Sequence, residues 1–143
     1  MIHPEIKEWV EGFQGGVDYI DFVSSRVNLA DWVAISRVFH PSFIEVEDCI
    51  LWDRVYDPEN FRAWKRELNG DATSIELVLN QLRLWQVIDF PEDELSQKIS
   101  MEVAKEISFF WRSSLERGYP DRNFDVSVAS TEDGPVVRFV TLR

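Results

Sequence analysis

The sequence predicts an α+β domain, and three observations carry that prediction. Apolar residues at helical spacing run through most of the chain. Two shorter regions alternate apolar and polar residues instead: FIEV then CILW, and NFDVSVA then VVRFVTL. Within each region only a few residues separate the two alternating runs, which is the pattern of an antiparallel hairpin. The expected architecture is an antiparallel sheet of about four strands, built from hairpins near residues 43–53 and 123–142 and packed against about five or six helices. A chain of 143 residues with 45% hydrophobic and 13% aromatic residues supports one globular domain spanning 1–143.

The first helix begins at Pro4, carries Ile6, Trp9, Val10 and Phe13, and ends at Gly15-Gly16. A short second helix covers Asp18 to Arg26. Asn28 caps a third, with Leu29, Trp32, Ile35, Ser36 and Phe39 along one side, and Pro41 stops it. In the hairpin that follows, a two-residue turn at Glu47-Asp48 puts Ile44, Val46, Cys49 and Leu51 on one face. Because the turn is not of the favoured Asn-Gly type, a single bulged strand is the alternative, and either way Cys49 points where the apolar residues point. Cys49 therefore reads as a small core residue, in surroundings too acidic to activate a thiol. Asp57-Pro58-Glu59 combines a cap, a first-turn proline and an early acid, and the helix it opens presents Phe61, Trp64 and Leu68 inward. Asn69-Gly70 ends it.

Asp71 or Thr73 caps the next helix. Its apolar residues, Ile75, Val78, Leu79 and Leu82 against Leu77 and Leu84, lie on two faces, which predicts a helix sandwiched in the core with Asn80 and Arg83 as its polar groups. Pro91-Glu92-Asp93-Glu94 opens a long helix to about Arg117. Its inner stripe is Ile99, Val103, Ile107, Phe110 and Ser114, with Trp111 at its edge, and Gly118 and Pro120 close it. Thr131-Glu132-Asp133-Gly134 turns the last hairpin.

The candidate chemistry is sparse. The chain has one cysteine and two histidines, His3 and His40, too few soft ligands for a zinc site. Residues 45–59 lack the glycine and the spacing of a calcium loop. There is no Gly-x-Ser-x-Gly elbow and no phosphate-binding glycine loop. No cofactor and no metal are expected. The formal net charge of −11 would repel nucleic acid and anionic membranes and attract a basic protein. The acidic amphipathic N-terminus lacks the form of a secretory signal, and a cytoplasmic location is expected.

The expected function is that of a non-enzymatic protein-binding domain. An immunity-type protein that neutralises a basic toxin is one concrete form. Its candidate contact residues are Glu45, Glu47, Asp48, Asp53 and Glu59, from a stretch dense in acids, together with Phe109 on the charged side of the long helix. The alternatives are a small-ligand-binding α+β domain with an aromatic pocket and an enzyme using paired carboxylates.

Overall fold

The computed structural model describes residues 2–143 and is α+β. It divides into two compact units, residues 1–37 and 38–143.

The first unit is helical. α1 (Pro4–Glu11) is capped by His3, whose Nδ1 accepts from the Glu5 N–H. α2 (Tyr19–Ser24) starts in a capping box, with Asp18 and Asp21 each accepting from the other's end of the first turn. α3 (Leu29–Phe39) starts the same way, with Asn28 and Asp31 exchanging side-chain bonds at 2.9 and 3.0 Å. Trp9 meets Phe13 and Phe22, and the Arg26 guanidinium lies 3.8 Å from the Phe22 ring centre. No residue of α1, α2 or α3 is fully buried. On the side of α3 where the apolar residues line up, Leu29, Trp32 and Ile35 are exposed.

In the second unit β1 (Phe43–Val46) and β2 (Cys49–Trp52) form the first hairpin, in the register Val46↔Cys49 and Ile44↔Leu51. Glu47, in the two-residue turn, takes a left-handed backbone with φ 54°. A 3-10 turn, Asp53–Val55, leads to α4 (Pro58–Glu67), where the Asp57 carboxylate accepts from the Asn60 N–H at 2.9 Å. α5 (Ala72–Leu79) is capped by Asp71 through Ser74. The Ser74 bonds hold the Asp71 carboxyl below its ordinary pKa. β3 (Gln81–Arg83) and a 3-10 turn (Leu84–Gln86) precede α6 (Glu94–Gly118), capped by Asp93. β4 (Asn123–Thr131) and β5 (Gly134–Leu142) form the second hairpin.

Both hairpins form where the alternation places them, but they do not join into one sheet. β1 and β2 make a two-stranded sheet, and β3, β5 and β4 make a three-stranded one in that order. Two expected elements also shift. The helix carrying Ile75 ends at Leu79, so Leu82 faces inward from a strand paired to Val137 rather than from a helix. Leu77 and Val78 are exposed, so α5 is not apolar-buried on two faces. On α6 the buried stripe is Ser100, Ala104, Ile107, Trp111 and Leu115, about one residue round from the predicted one, and Phe110 is 45% exposed. Trp111 sets that rotation: it is fully buried, packs against Trp52 and Phe139, and donates its indole N–H to the Val38 carbonyl at 2.8 Å.

The two sheets are linked by side chains of α5. In a hairpin with a two-residue turn, Ile50 and Trp52 point their backbone groups away from β1. Glu76 and Asn80, one helical turn apart and fully buried, meet those groups. The Ile50 N–H donates to Glu76 Oε2 at 2.7 Å and the Trp52 N–H to Asn80 Oδ1 at 3.0 Å; Asn80 Nδ2 donates back to the Ile50 carbonyl at 2.8 Å. On the other side, the Thr141 N–H donates to Glu76 Oε1 at 2.7 Å and the Phe139 N–H to the Asn80 carbonyl at 3.3 Å. Arg143 completes the set with Nη1 2.9 Å from Oε1 and Nη2 3.1 Å from Oε2.

This arrangement leaves β2 buried along its whole length. Cys49 and Leu51 face a small core with Phe61, Ile75 and Leu79. Ile50 and Trp52 face a larger one with Trp111, Leu115, Val137 and Phe139.

Every group bonded to the Glu76 carboxylate is a donor. Glu76→Gln would therefore aim an amide N–H at another N–H while leaving Arg143 without its counter-charge. Urea unfolding should show a loss of about 3–5 kcal/mol, the cost of breaking one side of a buried pair. A loss below about 1 kcal/mol would mean that water or a rearranged arginine satisfies those groups. Asp57→Ala, which removes only a cap, should cost about 1 kcal/mol in the same measurement.

Candidate functional site

The five acids and the phenylalanine singled out in the sequence are all exposed. The fold gives them different electrostatic settings. Glu45, on β1, pairs with Arg122 from the segment before β4. Glu47, in the turn, pairs with Lys65 of α4 at 2.5 Å, and this partner raises the Lys65 pKa. Asp48 gives its backbone carbonyl to Arg143 Nη2 at 2.6 Å. Asp53 opens the 3-10 turn and Glu59 lies in the first turn of α4; among the described residues neither makes an ion pair. Phe109 is 58% exposed on α6, and its ring neighbour is Phe110, not a residue of the hairpin.

Cys49 is the one cysteine, and it lies in the small core with its Sγ 3.7 Å from the Ala72 carbonyl. Burial, assisted by the Glu76 carboxylate, pushes its thiol from an ordinary 9.0 up to about 11. His40 is exposed at the end of α3. Among the described residues no three of the His, Cys, Asp and Glu side chains are grouped so as to hold a metal ion. None of the helices is long and apolar enough to cross a membrane, again among the described residues.

A second acidic feature emerges only from the fold. A cleft of about 660 Å³ lies between the segment after β3, the start of α6 and the β4–β5 turn. Its apolar lining includes Trp85, Ile88, Phe90, Met101 and Pro135. Four carboxylates line it as well, Asp89, Glu92, Glu132 and Asp133, against one guanidinium, Arg83. Trp85 is 55% exposed, although its neighbour Leu84 is fully buried in the larger core. The wall opposite is held by Gly134, which has φ 102° and whose absent Cβ would stand 3.3 Å from the Phe90 ring. Thr131 steadies the turn, donating to the Gly134 carbonyl and accepting from the Asp133 N–H.

In sequence these acids read as a helix start, PEDE, and a turn, TEDG. The available signal was the run VIDFPEDELSQ, residues 87–97, with four acids and no base. Its relation to Glu132 and Asp133 follows from the packing of α6 on β4 and β5 and is not readable along the chain.

Compared with protein-family models, with curated proteins and with solved structures, the chain shows no significant match.

Because the folded state holds the Cys49 proton up to about 11 while the unfolded chain releases it near 9.0, stability should fall as pH rises through that window. Cys49→Ala should lack this part of the fall in pH-dependent urea unfolding. At pH 8 a thiol reagent should label native protein far more slowly than denatured protein. Equal rates would place the sulfur at the surface.

Proposed function

We propose that the chain is a non-enzymatic protein-binding domain whose acidic surface engages a basic partner protein. The observation that supports this most directly is the exposure of Asp48, Asp53 and Glu59 with no ion pair to a basic side chain among the described residues. The hairpin that carries Asp48 and leads into Asp53 is fixed by two cores, so these charges stand on a rigid support. Exposed acids without an ion pair on a protein with a formal net charge of −11 favour rapid encounter with a basic surface. Glu45 and Glu47 are exposed on the same hairpin as Asp48, with their charge partly offset by Arg122 and Lys65. Phe109 offers an exposed aromatic contact on α6. Neutralisation of a basic toxin, in the manner of an immunity protein, is one form such a function takes.

The test is association kinetics with a basic protein recovered by cross-linking to the full chain. Asp53→Lys together with Glu59→Lys should slow association several-fold at low salt and leave the thermal midpoint within a few degrees. The effect should shrink at high salt, where charges more than about 3–8 Å apart are screened. An association rate indifferent to both changes would overturn the electrostatic reading.

A further inference from the structure

We infer that the cleft beside Trp85 is the seat of an arginine-bearing segment of a basic protein partner. This rests on the protein-binding reading above and names a contact that the hairpin acids do not supply. Three features converge. The cleft is large enough to take a side chain or a short peptide stretch, at about 660 Å³. Its charge is one-sided, with Asp89, Glu92, Glu132 and Asp133 against Arg83. Beside these acids stands an indole that folding has not covered: Trp85 is more exposed than Trp32, whereas Trp52 and Trp111 are buried.

The backbone that carries Trp85 is held in place. It lies in the 3-10 turn Leu84–Gln86, between β3 and α6, with Leu84 anchored in the core and the Arg83 N–H donating to Gln86 Oε1 at 3.1 Å. Because the backbone that carries the indole is already ordered, binding has only the Trp85 side chain to order. A guanidinium stacks on such a face and still presents a fork of N–H donors in its plane. The neighbouring carboxylates accept from that fork in pairs, which an ammonium group cannot match. The chemistry therefore selects arginine over lysine.

The experiment titrates a fluorescently labelled hexa-arginine peptide, and the matching hexa-lysine peptide, into the full chain and follows anisotropy. Hexa-arginine should bind more tightly at low salt. Trp85→Ala should weaken it about fivefold, the scale of a partly desolvated cation–π contact. Glu132→Gln with Asp133→Asn should weaken it further and flatten the salt dependence. Asp53→Asn with Glu59→Gln, on the hairpin side, should change hexa-arginine affinity less than about twofold. Thermal unfolding of each variant checks that the fold persists, and Trp85→Phe, which keeps an aromatic face, should recover part of the affinity.

Loss of binding in the hairpin variant with none in the cleft variants would overturn the cleft assignment and leave the acidic-surface reading in place. Equal affinity for the two peptides would also overturn it, because the predicted arginine selectivity would be absent. No binding of either peptide at low salt would remove the support for both readings.

Discussion

The structure of residues 38–143 depends on one buried carboxylate. Glu76 is fully inside the protein, and a charge in that position is tolerated only when each oxygen is met by donors. Here Ile50 from one sheet, Thr141 from the other and Arg143 meet it together. The carboxylate and the Asn80 amide one turn later do the work of a missing strand between β2 and β5. Two backbone edges that would otherwise end in the core without partners are satisfied by a helix.

That link explains several other features. Because α5 supplies the edge partners, it must end where its last buried polar group, Asn80, reaches Ile50 and Trp52. The chain then pairs directly with β5 as β3. The first hairpin, held on its outer edge by α5, can bury both faces, and its acids are confined to the rim, the turn and the exits. The same bonded cluster lies beside Cys49, so the sulfur sits near a negative charge as well as in an apolar core, and both raise its pKa.

For function, the consequence is a division between a satisfied interior and an unsatisfied surface. No side-chain nitrogen or oxygen buried among the described residues lacks a partner, and no metal-ligating cluster is assembled there. The uncompensated groups are on the outside: Asp53 and Glu59 near the first hairpin, and the acids around Trp85 at the far end of β3. Under the proposed reading both features would meet positive charge. They differ in that the hairpin acids stand on open surface, whereas the cleft adds an aromatic wall and a defined volume.

Local patterning in the sequence determined the class, both hairpins and most helix starts. Alternation places FIEV, CILW, NFDVSVA and VVRFVTL in strands, and the caps Asp18, Asn28, Asp57, Asp71 and Asp93 act within three residues of their own position. The exposure of Glu45, Glu47, Asp48, Asp53 and Glu59 was readable for the same reason, since each is a polar position in its own element. Phe109, off the apolar stripe of its helix, could equally have been covered by another segment and is exposed only because none packs over it. What tertiary structure decided was everything that needs a distant partner. Glu76 looks like an ordinary solvent-facing helix residue until Ile50, Thr141 and Arg143 surround it. Leu82 continues a helical pattern until Val137 offers a strand edge. The cleft joins Asp89 to Asp133 across more than forty residues. Local spacing reports which way a side chain points from its own element; which element it then meets depends on packing between segments far apart in the chain, and no local pattern encodes that.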